Sequence, residues 1–109
     1  MAIDLSSDIF EQEVLKSNVP VLVDFWGPKC APCLALMPHV ESLETKYGAN
    51  FKITKVDASR NRRMCLNLKV LGLPTFLIYK DGKEVVRLTG DALTIGEIEA
   101  AMRNALYCK

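Results

Sequence analysis

The stretch Val19-Pro-Val-Leu-Val-Asp-Phe-Trp-Gly-Pro-Lys-Cys-Ala-Pro-Cys33 decides how the rest of the chain is read. From Val19 to Phe25 it is an almost continuous β-branched and aromatic run, the pattern of a strand buried on both faces. Gly27, Pro28 and Pro32 then break the chain, and a helix is expected from about Pro32 to Tyr47. Leu34, Leu36, Met37, Val40 and Leu43 give that helix a broad apolar stripe, with Gly48 at its end. Pro38 falls inside it and is expected to kink it, having no N–H to donate.

The segments on either side alternate in the same way. Ile3–Leu5 suggests a short strand, and Ser6-Ser7-Asp8 a helix start with Glu11 as a capping partner. Phe51–Asp57 alternates as a second long strand, and residues 61–69 form a weaker, Arg-rich helix. Leu73–Tyr79 and Lys83–Thr89 flank Asp81-Gly82, a two-residue hairpin signal. The last helix, Thr94 to about Tyr107, carries Ile95, Ile98, Met102 and Leu106 at helical spacing. Early alternation calls for parallel strands with crossover helices, and the late hairpin adds an antiparallel edge. The expected class is α/β, a mixed central β-sheet flanked by helices on both faces, as one domain over residues 1–109.

Composition narrows the function. Half the residues are hydrophobic and a quarter charged, which excludes global disorder. A net charge of +1 argues against a nucleic-acid partner. Asp4, Asp8, Glu11 and Glu13 stand where a secretory signal would be basic and then apolar. The longest apolar stretch, Val19 to Trp26, is far shorter than the ~20 residues that span a bilayer. A cytoplasmic location without a membrane partner is therefore expected, and in that compartment cysteines are more often catalytic or metal-binding than structural.

Four cysteines are present, and Cys30 and Cys33 form a C-x-x-C at the start of a helix. Unpaired N–H groups and the macrodipole favour negative charge there, so Cys30 should supply a thiolate near neutral pH. Two intervening residues let the sulfurs reach disulfide geometry, and Pro32 suits the first helical turn. The implied chemistry is attack by Cys30 on a substrate disulfide, followed by resolution by Cys33. A structural zinc site would need further ligands, and His39, Cys65 and Cys108 are scattered over separate elements, so no metal is expected. His39 reads as a surface residue, Cys65 as a small buried hydrophobe, and Cys108 as an exposed free thiol. Asp24 lies in the most apolar strand, where burial should raise its pKa and let it exchange a proton near neutrality. The alternative is a strand-end carboxylate with access to solvent. Pro74, likewise, could be an ordinary trans proline opening a strand.

Val23-Asp-Phe-Trp26, Cys30-x-Pro32-Cys33, Pro38, Lys55-Val-Asp57, Leu73-Pro-Thr75, Asp81-Gly82 and Gly90 together resemble the thioredoxin family over nearly the whole chain. The resemblance implies the thioredoxin fold and protein-disulfide reduction by a reversible Cys30–Cys33 pair, with no cofactor. It implies a thioredoxin reductase-type electron donor, either an NADPH flavoprotein or a ferredoxin-linked enzyme. Disulfide-containing protein substrates such as ribonucleotide reductase, peroxiredoxins and methionine sulfoxide reductases are implied as well, and the protein is expected to be a monomer. On this resemblance Asp24 transfers a proton for Cys33, Lys55 lies beside Asp24, and Pro74 follows a cis peptide bond. Trp26, Lys29, Ala31, Leu73, Pro74 and Gly90 frame the docking surface around Cys30.

The motif departs from the family's usual Trp-Cys-Gly-Pro-Cys. Lys29 replaces the Trp, Ala31 the Gly, Leu34 a frequent basic residue, and Asp91 a small apolar one. The Lys29 cation should lower the Cys30 pKa further, within the limits set by solvent screening. The basic cluster Arg60, Arg62 and Arg63 could dock an acidic partner, but a solvated helix face is the preferred reading. A thioredoxin-fold binding module is the alternative function; it would retain full biological activity with Cys30 and Cys33 both replaced by Ser. Because Lys29 replaces a flat apolar contact, a reductase adapted to the usual motif should turn this protein over poorly. Turnover comparable to that of its own substrate would refute this expectation.

Overall fold

The quoted apolar run becomes β2 (Val21–Trp26), the central strand of a five-stranded sheet in the computed structural model, which describes residues 2–107. Val21, Leu22, Val23 and Phe25 are wholly enclosed, and burial of each contributes roughly 1.5–3 kcal/mol. β2 pairs in parallel with β3 (Lys52–Asp57) and antiparallel with β4 (Thr75–Lys80). The short strand β1 (Ile3–Asp4) adds to β3 in parallel, and β5 (Lys83–Thr89) closes the far edge against β4. The order β1-β3-β2-β4-β5 is the mixed sheet expected, and the architecture is the thioredoxin fold.

Side-chain alternation along β2 divides the core in two. Val21, Val23 and Phe25 pack with Val14 and with Met64 and Cys65. Val14 lies in a π-helical turn, Glu11–Leu15, that extends α1 (Ser7–Phe10); Met64 and Cys65 lie on α3 (Arg62–Asn67). Leu22 points the other way, toward Leu36, Val40 and Leu43 of α2 (Ala31–Tyr47) and Ile98 and Met102 of α4 (Ile95–Tyr107). Helices thus cover both faces, as a strand with no polar side demands. Among the described residues, no helix is long and apolar enough to cross a membrane.

Several local expectations change. Ser6 turns its hydroxyl to the Asp8 carboxylate, and Glu11 pairs with Lys16 (3.3 Å) instead of capping α1. A reciprocal cap forms at α4, where Thr94 N donates to Glu97 Oε1 (3.0 Å) and Glu97 N to Thr94 Oγ1 (3.2 Å). On α2 the buried stripe is Cys33, Leu36, Val40 and Leu43, while Leu34 is exposed, lying off the face that meets the sheet. The helix runs through Pro38 as one element, and Ser42 Oγ donates to the Pro38 carbonyl (3.1 Å). Cys65 is buried as expected, and burial pushes its thiol pKa up. Cys108 lies outside the described residues.

Asp81 and Gly82 join β4 to β5 with φ of 54° and 79°, both left-handed, which fits the tight hairpin read from the sequence. The ladder slips once, between Ile78 and Tyr79. Gly82 is doubly constrained, because a Cβ there would also lie 3.0 Å from the Leu15 carbonyl oxygen. Gly82→Ala should therefore lower unfolding stability by about 1–2 kcal/mol in urea denaturation. Unchanged stability would show that the turn relaxes without cost.

Candidate active site

The loop between β2 and α2 delivers the cysteines. Cys30 N donates to the Gly27 carbonyl (3.1 Å), which closes the loop tightly. Cys30 is then the N-cap of α2: its Sγ accepts from Cys33 N (3.3 Å) and its carbonyl from Leu34 N (3.1 Å). Pro32 stands in the first turn, where a missing N–H costs nothing. The two cysteines are joined as a disulfide with Cα atoms 5.3 Å apart. Cys30 is half-buried whereas Cys33 is 1 % exposed, so the pair presents one end to a partner. In the reduced protein, the same N–H and helix end favour charge on the Cys30 sulfur.

Across the loop, the Leu73–Pro74 peptide is cis and Pro74 is buried. The Pro74 carbonyl accepts from Gly90 N (3.1 Å) and from Thr89 Oγ1 (3.3 Å), which ties this segment to the end of β5. Gly27 lets the segment approach, since a Cβ there would sit 3.1 Å from Leu73 Cδ1. Lys29, Cys30 and Leu73 consequently line one groove, together with Ala58 and Arg62. Ala31 is exposed on the first turn of α2, and Gly90 is exposed with a φ of 120°. Trp26 is half-buried and lines a second cleft with Asp4, Lys55 and Asp57.

Asp24 is 2 % exposed, and burial pushes its pKa up to about 7 against the opposing attraction of Lys55. Its Oδ1, like the Trp26 Nε1, finds no hydrogen-bond partner among the described residues. Lys55 lies opposite Asp24 in the β2–β3 register and opposite Asp4 in the β1–β3 register. Its ammonium pairs directly with Asp4 Oδ1 at 3.7 Å. One cation thus serves two carboxylates in a row across three strands. Asp4 was not foreseen in this row, although the Ile3–Leu5 strand signal would have placed it there once paired to Phe51–Asp57. Arg62, for which the sequence favours a solvated helix face, instead lines the groove beside Cys30.

The raised Asp24 pKa sets the direction of a pH effect. The fold holds the proton more tightly than the unfolded chain does, so Asp24 favours folding most below its ordinary pKa near 3.8. Stability should fall as pH rises from about 4 to about 7, by up to about 4 kcal/mol from this group. Asp24→Asn should be the more stable protein at pH 8 and should lack this fall in pH-dependent urea unfolding. Parallel curves for the two proteins would contradict the assignment.

The thioredoxin family model matches residues 1–104. The chain is 45% identical over 100 residues to the thioredoxin of Acetoanaerobium sticklandii, covering 92% of this chain and 95% of that protein. It is 40% identical over 100 residues to the thioredoxin of Peptoclostridium acidaminophilum, covering 92% and 91%. Thioredoxin 1 of Synechococcus elongatus is 40% identical over 81 residues, covering 74% of this chain and 76% of that one. Similarity of that reach, on a sheet of this order with its helix-start cysteines joined, means that the chain belongs to the thioredoxin family.

Proposed function

We propose that this thiol–disulfide oxidoreductase works with Cys30 as nucleophile and Cys33 as resolving thiol, with Asp24 taking the proton of Cys33. The observation that carries the reading is the unequal exposure of two joined cysteines at one helix start. In the reduced protein, the Cys30 thiolate attacks one sulfur of a protein disulfide and releases the other as a thiolate. Cys33 loses its proton to the Asp24 carboxylate and attacks the Cys30 sulfur, releasing the second substrate thiol. Two electrons have then passed to the substrate, and the Cys30–Cys33 disulfide is closed. A reductase donor returns two electrons to reopen it.

Asp24 suits the proton step because a carboxyl with a pKa of about 7 both accepts and returns a proton near neutrality. Lys55 balances the charge when Asp24 ionises, and Asp4 draws on the same ammonium. Pro32 holds the first turn of α2. Leu73, Pro74 and Gly90 serve the docking surface for the substrate, with Lys29 and Ala31 flanking the nucleophile in sequence and Trp26 at the end of β2. We read the chain as one domain that acts as a cytoplasmic monomer, its donor being an NADPH flavoprotein or a ferredoxin-linked reductase. Cys33→Ser should stall the reaction at the Cys30 mixed disulfide. Mass spectrometry of adducts captured from cell extract should then identify substrates joined through Cys30. Recovery of adducts through Cys65 instead, or of none, would count against these roles.

A further inference from the structure

The groove beside Cys30 combines two positive charges with an apolar floor. Lys29, one residue before the nucleophile, and Arg62, on α3, are both exposed and line it together with Ala58 and Leu73. Neither cation forms an ion pair within 4 Å among the described residues. Past Leu73 and Arg62 a second trough continues along α3, where Leu66 and Leu71 stand 67 % and 84 % exposed. Among the described residues, no carboxylate lines either trough. Asp57, the nearest acid in sequence, accepts from Ser59 N and Oγ, pairs with Arg60 (3.9 Å) and lies in the other cleft. The chain's net charge is only +1, so this is a local arrangement rather than a general cationic field.

We propose that this groove selects protein disulfides whose adjoining segment carries an apolar side chain flanked by acidic residues. The segment lies along the groove with its apolar side chain over Ala58 and Leu73, the apolar residues that line it together with Lys29 and Arg62. Its carboxylates face Arg62 and Lys29, and its disulfide sulfur is presented to Cys30. Charge complementarity to Lys29 and Arg62, in a groove that Cys30 itself lines, identifies the occupant as an acidic stretch of the substrate polypeptide itself. The proposal rests on the reductase reading above and adds to it the class of disulfide preferred. Exposed pairs of this kind act mainly on encounter and are weakened by salt.

Three synthetic disulfide peptides test it, identical in their cysteines and leucine but flanked by Glu, Gln or Lys. The full chain reduces them with dithiothreitol as electron source, and each kcat/KM is referred to that of the Gln peptide with the same protein. The Glu peptide should exceed the Lys peptide by about fivefold at low ionic strength, and the gap should close in about 0.5 M salt. Arg62→Glu should abolish or reverse that order. Equal rates with the unaltered chain, or a preference for the Lys peptide, would overturn the proposal. An order unchanged by Arg62→Glu would overturn its assignment to this groove. Failure to reduce even the Gln peptide would overturn the reductase reading itself, and the selectivity with it.

Discussion

Burial of β2 on both faces is the constraint from which the rest of the molecule follows. A strand whose residues from Val21 to Phe25 are all shielded must lie at the centre of a sheet, with helices above and below. Its end then emerges at the edge of the packed layers, where Gly27 and Pro28 turn the chain into α2. The helix start that accepts charge and the strand that excludes water are therefore consecutive in sequence. Chemistry placed at their junction inherits a rigid wall on one side and open solvent on the other.

The same burial makes Asp24 costly and useful. A carboxylate held at 2 % exposure loses hydration that one neighbouring ammonium only partly replaces, so its proton affinity rises toward neutrality. The row Asp4–Lys55–Asp24 grades from solvent to interior, the side chain of Lys55 being 19 % exposed and that of Asp4 81 %. For the buried member, the cost of burial outweighs the relief that Lys55 supplies. A carboxyl with a pKa of about 7 is present in both protonation states near neutral pH.

Much of this was legible in the residues because it is local. The β2 run, the C-x-x-C at a helix start and the Asp81-Gly82 turn are each specified by neighbours in sequence, and each appears where expected. Asp24 was legible as well, since a carboxylate inside an unbroken apolar run has few places to go. What depends on pairing was harder to see. Asp4 meets Lys55 only because β1 aligns with β3, and Arg62 reaches the groove only because α3 is brought beside the Cys30 loop. Leu34 fits a helical stripe by spacing but falls off the face that the sheet covers. The capping pair misplaced on α1 shows a further limit: Ser6 and Asp8 satisfy each other locally, leaving Glu11 to find Lys16.

At the far side of the sheet, β5 is the edge strand of the hydrogen-bonded ladder among the described residues. Its residues Lys83, Glu84 and Arg87 are charged, and Arg87 clasps Glu84 (2.8 Å) while donating to the carbonyls of Leu68 and Lys69 (2.8 and 2.9 Å). With the register slip between Ile78 and Tyr79, these groups spoil the flat, repeating template that another strand would need in order to add on. A redox carrier must expose its reactive thiol repeatedly without becoming a nucleus for aggregation. The edge most distant in sequence from the cysteines is protected against that outcome by its own composition.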